Sequence, residues 1–289
     1  MTNNTDPGAV VVGVDDSPQA AAAAEWAAVE AERRGCALEL VHAVDIGVAA
    51  PQSDNPPDVI EEVLAEASTM LDDAVARIAA EHPGLRVGSV LVRGAAAEVI
   101  THAAGDAAVV VVGTRGRGGF AGLLLGSVSL KVAAHAPCPV VVVRGRAEGM
   151  PSGDVVVGVR DERDADVVRF ALAEAERRRA SVRMVHAWSP LTGMGLVVSQ
   201  ADHIAQQERE HVELVNRVTA PVADYPHVHV DTELVIGSGA ATLVDASAKA
   251  GLLVVPRHRP TGRVGLRLGS VVHQVLHHAQ CPVAVVPAG

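Results

Sequence analysis

The chain has 289 residues, 49% of them apolar but only 2% aromatic, and a formal charge of −10 at neutral pH. That length suits two ordinary domains, with cores built from Val, Ala, Leu and Ile. The negative balance argues against broad binding to nucleic acid or anionic membranes, and no apolar run approaches the roughly 20 residues that cross a bilayer.

The opening MTNNTDPGAV has no basic segment followed by an apolar one, so no signal peptide is expected. Cys36, Cys138 and Cys281 are sparse, odd in number and free of CxxC spacing. They read as reduced, packed thiols of an intracellular protein.

The first half alternates apolar runs with helical stretches. AVVVGVD, ending at Asp15, is nearly continuous in Val, as expected of a strand buried on both faces. Ser17-Pro18 supplies a helix cap followed by proline at the first helical position, and Gly35 suits the helix end. ALELVHA is the second strand. After a looser segment over residues 45–58, Val59, Val63, Ala67, Met70, Ala74 and Ile78 keep helical spacing up to His82-Pro83-Gly84. VGSVLV, AAVVVVG and CPVVVVR are the third to fifth strands, with short helices between them.

The second half repeats the first. EAERRG, ending at Gly35, returns as EAERRR, ending at Arg179. LELVHAV returns as VRMVHAW, and GSVSLKVAAHAPCPVVVV as GSVVHQVLHHAQCPVAVV. So long a period means two tandem domains, over residues 8–146 and 153–288, joined by GRAEGMPSG at 145–153. Strands separated by helices pair in parallel through crossovers. Each half is therefore expected to be an α/β domain, an open five-stranded parallel sheet with helices on both faces. Ligands of such sheets bind beyond the carboxyl ends of the strands, where the strand order reverses. Asp15 and Gly113 can face that crevice.

The segment GTRGRGGFAGLLLGS, residues 113–127, follows a buried strand. Gly113 and Gly116 allow a sharp turn at positive φ and a close backbone approach to a ligand. Gly126-Ser127 opens a helix whose free N–H groups and partial positive charge suit a phosphate. The hydroxyls of Ser127 and Ser129 can add hydrogen bonds. Arg115 and Arg117 are flexible cations beside that anion site, or solvated loop charges. No Lys precedes Ser127, which excludes a Walker A loop. The GxGxxG/A match at Gly116, Gly118 and Ala121 follows the fourth strand rather than the first and is read as chance.

Elsewhere the chemistry is thin. His273 and His277 share a helix face, but no carboxylate or Cys lies at matching spacing, so no metal site is assigned. His42 and His186 recur at the ends of second strands and read as hydrogen-bonded structural residues. No Ser-His-Asp set or paired carboxylates stand out, so no catalytic residue is assigned.

Gly-x2-Gly-x9-Gly-Ser, met by Gly113, Gly116, Gly126 and Ser127, together with VVVGVDDS, LVHAV and the terminal CPVVVV, resembles the tandem-domain universal stress proteins along nearly the whole chain. That resemblance implies two tandem Rossmann-like domains of the adenine nucleotide alpha hydrolase-like kind. It implies a cytoplasmic regulator of stress response or dormancy that binds ATP, with Mg2+ left open, rather than turning it over. Asp15 would contact the nucleoside and the backbone at Ala43 the adenine. Gly113, Gly116, Gly126, Ser127, Val128 and Ser129, with Thr114 and Arg115 beside them, would hold ribose and phosphates. The rival functions are a weak ATPase or adenylyl-transfer enzyme, and a nucleotide-free scaffold. The resemblance also implies a protein partner and an intramolecular pseudo-dimer through the last strand of each half, with a homodimer as the alternative.

The second half departs from the motif. Arg160 stands at the Asp15 position, and Pro256 and Arg259 at those of Gly113 and Gly116; only Gly269 and Ser270 survive. Proline fixes φ and donates no N–H. The second half is expected not to take ATP in the same way, although Arg257, Arg259, Arg263 and Arg267 before its helix could attract a bare anion or a partner.

Overall fold

The computed structural model describes residues 8–45, 57–116, 125–144, 153–189, 200–258 and 268–288. The chain divides into two units, Met1–Met150 and Pro151–Gly289. Most of the expected joint at 145–153 lies outside the described residues.

In the first unit β1 (Val10–Gly13) leads through a turn into α1 (Pro18–Arg34). Ser17 caps α1, its Oγ accepting from the Ala20 amide at 3.1 Å. Gly35 ends the helix at φ 64°, where a side chain would be strained. α1 buries Ala20, Ala23, Ala24, Ala27, Ala28 and Ala31 together with Trp26. Small side chains let the helix lie close to the sheet. The same helix buries Glu30, which accepts from Arg34 at 2.7 Å. A buried carboxylate needs such a partner, and this explains why EAERR recurs: Glu174 pairs in the same way with Arg177 at 2.9 Å and Arg178 at 3.2 Å.

β2 (Leu38–Val44), α2 (Pro57–Glu81), β3 (Val87–Arg93), α3 (Ala96–Ala103), β4 (Val109–Gly113), α4 (Ser127–His135) and β5 (Val140–Val143) follow. The strand order is β3-β2-β1-β4-β5, and every pair is parallel. The order reverses between β1 and β4, which pair with Val10 opposite Val109. β1, β4 and β5 are almost wholly buried, as their continuous Val runs require. The α2 stripe splits. Ala67, Ala74 and Ile78 are buried, whereas Val59 and Val63, read as part of the same apolar face, are 43% and 40% exposed.

The second unit repeats the plan with β6 (Asp154–Gly158), α5 (Ala165–Arg178), β7 (Val182–Trp188), α6 (Gln200–Val218), β8 (Val230–Ile236), α7 (Gly239–Ser247), β9 (Ala250–Arg257), α8 (Ser270–His278) and β10 (Val283–Pro287). Its order is β10-β9-β6-β7-β8, again all parallel. Both units therefore have the expected α/β architecture of five parallel strands. A short 3-10 turn, Glu162–Asp164, precedes α5 where the first unit runs directly into α1. β9 also continues through Pro256 and Arg257, paired with Val286 and Pro287 of β10. β4 stops at Gly113, the residue matching Pro256. The strand thus runs straight on where its counterpart turns.

Candidate functional site

A crevice of about 880 Å3 opens beyond the carboxyl ends of β1, β2 and β4. Of the residues singled out in the sequence, Asp15, Ala43, Gly113, Arg115, Gly116, Gly126, Ser127, Val128 and Ser129 all line it. Thr114 is buried just behind the wall, and its carbonyl accepts from the Gly126 amide at 2.7 Å. Arg117 lies outside the described residues, as do Gly118 and Ala121.

The turn after β1 is built around one carboxylate. Asp15 Oδ1 accepts from the Ser17 amide at 3.0 Å and from Ser17 Oγ at 2.5 Å. Asp15 itself lies two residues beyond the end of β1, half-buried in that turn, while Asp16 is exposed. The turn after β4 is tied down by its carbonyls. Gly113 O accepts from Ser129 Oγ at 2.7 Å, Thr114 O from the Gly126 amide, and Arg115 O from Ser17 Oγ at 3.4 Å. The Ser129 hydroxyl is therefore buried and already donating to the protein, and it can offer a ligand only its lone pairs.

The glycines serve a different purpose from the one their sequence suggests. Neither Gly113 nor Gly116 has positive φ. A β-carbon on Gly113 would stand 2.8 Å from the Gln19 carbonyl oxygen, so glycine there lets α1 press its backbone against β4. A β-carbon on Gly116 would collide with Asp15 Oδ2. Bare backbone at 116 thus lets the two turns face each other closely across the crevice. Gly126 differs: a β-carbon there would meet ordinary contacts at 3.4 Å and beyond.

What Gly126 does provide is an uncapped helix. Ser17 satisfies an amide at the start of α1, but Gly126 has no side chain with which to cap α4. The first-turn amides of Ser127, Val128 and Ser129 have no carbonyl within the helix and add its positive pole. On the opposite wall, His42 Nδ1 lies 2.6 Å from the Val14 carbonyl. A carbonyl only accepts, so Nδ1 carries the proton and the ring is fixed beside Ala43. His186 makes the matching bond to Val159 at 2.9 Å. Both histidines are hydrogen-bonded, as the sequence suggested.

Sequence reading missed the rest of the lining. Val41, Val44 and Asp45 extend the β2 wall; Val63, Glu66 and Met70 come from α2; Ile100 comes from α3. Val63 is apolar yet uncovered because it faces the crevice rather than the core.

The corresponding place in the second unit is built differently. Arg160, at the Asp15 position, has a side chain 57% exposed and turned onto Asp161. Trp188 replaces Val44 and is buried, stacked on His211 of α6 with ring centroids 4.6 Å apart. His211 Nδ1 in turn lies 2.9 Å from His186 Nε2. Burial pulls His211 below the ordinary histidine value, and His186 adds to this. The rings bridge strand end and helix where the first unit keeps a gap. Asp164, wholly buried, faces His258 from the end of β9. Arg257 lies within β9, while Arg259, Arg263 and Arg267 lie outside the described residues. On α8, His273 and His277 have ring centroids 4.5 Å apart, and no third metal-ligating group joins them among the described residues.

No helix among the described residues is long and apolar enough to cross a membrane. The family model for the universal stress protein family matches the chain twice, over residues 8–144 and 152–287. Two universal stress proteins of Mycobacterium tuberculosis are each 35% identical to it. One aligns over 299 residues, covering 99% of this chain and 98% of its own, and the other over 288 residues, covering 96% of each. Among solved structures, a universal stress protein from Archaeoglobus fulgidus superposes with a TM-score of 0.71. It shares 16% identity over 98% of this chain and 100% of its own, which supports the fold.

Proposed function

The chain belongs to the universal stress protein family, and on that premise we propose that its first unit binds an adenine nucleotide, ATP in the first instance, and acts by that binding rather than by turnover. The observation that carries this reading is the uncapped start of α4 opening onto the same crevice as Asp15 and Ala43. The residues fit such a ligand. The amides of Ser127, Val128 and Ser129 suit phosphate oxygens. Asp15 suits the sugar hydroxyls, and the apolar wall of Val41, Val44, Val63 and Ile100 suits a purine face. Arg115 adds a cation at the phosphate end.

The fixed carbonyls of Gly113, Thr114 and Arg115 keep the phosphate end organised before a ligand arrives. Preorganisation lowers the entropic cost of binding. In this reading nucleotide binding alters a protein partner's affinity, in a cytoplasmic stress or dormancy response; most of the 114–125 segment that the sequence linked to this change lies outside the described residues. The second unit takes no ATP at its counterpart position, because Trp188 and His211 close the purine side and Arg160 replaces the sugar-binding carboxylate.

Native mass spectrometry of the protein as purified, followed by calorimetric titration of the stripped chain with ATP in the presence and absence of Mg2+, tests this. One equivalent per chain is expected. Two equivalent sites would refute the asymmetry, and no binding would refute the proposal.

A further inference from the structure

Asp164 and His258 leave good ligand atoms buried without hydrogen bonds. The Asp164 side chain is 0% exposed. Its Oδ2 accepts from the amides of Arg160 at 2.6 Å and Asp161 at 3.2 Å. Its Oδ1 accepts no hydrogen bond. The His258 side chain is 13% exposed, and neither ring nitrogen has a hydrogen-bond partner. Asp164 Oδ1 and His258 Nε2 stand 3.0 Å apart, an ion-pair distance when the imidazole is protonated, but their geometry makes no hydrogen bond. Two ligands on one tetrahedral ion, each about 2.0–2.2 Å from it, stand about 3.3–3.6 Å apart, so the pair would open by a few tenths of an ångström to admit the ion. A carboxylate oxygen of Asp161 completes a set whose atoms all lie within 4.8 Å of one another.

We propose that the second unit holds a divalent transition-metal ion of the Zn2+ kind between Asp164 Oδ1 and His258 Nε2, with Asp161 as third ligand and water completing the shell. Imidazole and carboxylate donors suit Zn2+ and its neighbours better than Mg2+ or Ca2+. Burial, opposed by Asp164, lowers the affinity of His258 for a proton, which leaves an imidazole lone pair available. Burial pushes Asp164 the other way, toward the neutral acid, and a cation beside it would restore the carboxylate.

The competing interaction is visible. Asp161 accepts from Arg163 Nη2 at 2.7 Å and from Arg160 Nε at 3.0 Å. Asp161 Oδ1 also accepts from the Arg163 amide at 3.1 Å and from Arg163 Nε at 3.0 Å, and Arg163 holds the Asp161 carboxyl well below the usual carboxylate range. The ion therefore has to displace a two-pronged pair whose arginines are more than half exposed. Metal binding would release them to water. Asp164 and His258 occupy the places of Gln19 and Arg115, so the ion would pin the start of α5 to the end of β9. The proposal is independent of whether the first unit binds ATP.

Titration of the full chain with Co2+, followed by visible absorption, reads this directly. One equivalent with the intense bands of a four-coordinate site is expected, displaced by Zn2+. Losing even an outer partner of a metal ligand costs about 10–100-fold in affinity. His258→Gln, which loses a ligand itself, is expected to weaken Co2+ binding by at least that. Asp164→Asn is expected to do the same but also disturbs the amides that Oδ2 holds. His258→Gln is therefore the deciding variant, its fold checked by circular dichroism and urea midpoint without metal. His277→Ala is expected to leave binding unchanged. Absence of the Co2+ bands, survival of binding in a folded His258→Gln protein, or its loss in His277→Ala would each overturn the assignment.

Discussion

The two units share strand order, helix plan and a buried Glu–Arg cluster, yet they treat the space beyond their strands in opposite ways. The first keeps its two turns close but leaves open the gap between β2 and α2, lined by Val44, Val63 and Met70. The second puts Trp188 at the Val44 position and stacks it on His211. It also extends β9 through Pro256 where β4 turns away at Gly113. One scaffold therefore supports both an open hollow and a filled one, and a few positions decide which. Duplication lets one copy fill the space with packed side chains, which gain contact area and order.

The sharpest way to break the comparison is at the place where the two turns of the first unit meet. Gly116→Val puts a β-carbon onto Asp15 Oδ2 and forces the carboxylate out of its bonds to Ser17. The carboxylate is the far end of a flexible side chain and can swing aside, so the cost falls on its placement in the crevice rather than on packing; a loss of about 1–3 kcal/mol in a binding site is about 10–100-fold in affinity. Titration calorimetry is expected to show ATP binding weakened by that much, with the urea midpoint little changed because the turn is at the surface. Gly126→Ala is the milder control. Its methyl group meets only ordinary contacts, so a smaller loss is expected. Equal affinities in wild type and Gly116→Val would place the nucleotide elsewhere.

The second unit can be tested from the other side. If Trp188 is packing rather than a ligand wall, Trp188→Ala is expected to cost about 3–5 kcal/mol in urea unfolding, as large aromatic truncations in cores do. Val44→Ala, at the matching position beside an open crevice, removes two carbons and is expected to cost about 1–2 kcal/mol. The difference between the two variants measures how completely the second hollow is filled. If both cost the same, the hollow in the second unit is not closed by Trp188.

The fold was almost fully legible because its signals are local and repeated. Continuous Val runs marked the buried strands, and Ser17-Pro18 and Gly35 marked the ends of α1 within a residue. The crevice residues were legible as a set but not for the right reasons. Gly113 and Gly116 suggested positive φ, whereas the Gln19 backbone, 94 positions away, demands glycine at 113, and the Asp15 carboxylate, 101 positions away, favours it at 116. Such requirements appear only when the chain is folded. Val63 matched the core spacing of α2, and nothing local distinguishes an apolar residue facing a crevice from one facing the sheet. Asp164 and His258 were invisible for the same reason: no spacing rule links the start of a helix to the end of a strand 94 residues later in the same unit.

The smallest expected effect concerns the opposite end of the first unit. His82 follows α2 and lies between two acids of α1, with Nε2 3.0 Å from Glu25 and Nδ1 3.0 Å from Glu32; a carboxylate oxygen of Glu81 is within 4.8 Å. Burial pulls its affinity for a proton down, but the hydrogen bonds to Glu25 and Glu32 and their charges more than offset this, so the folded value lies above the ordinary 6.5. A group raised on folding binds its proton more tightly in the native state. Its contribution is complete below pH 6.5 and is lost as pH rises through the higher folded value. In the second unit Tyr225 stands at the His82 position, before Pro226 as His82 stands before Pro83, and carries no imidazole. Urea midpoints measured from pH 6 to pH 9 are expected to fall modestly for the wild-type chain and less for His82→Gln, which keeps a hydrogen-bonding side chain but no titratable ring. A profile unchanged by that substitution would show that the two glutamates do not hold a charged His82, and that this end of the first unit differs from the second in sequence alone.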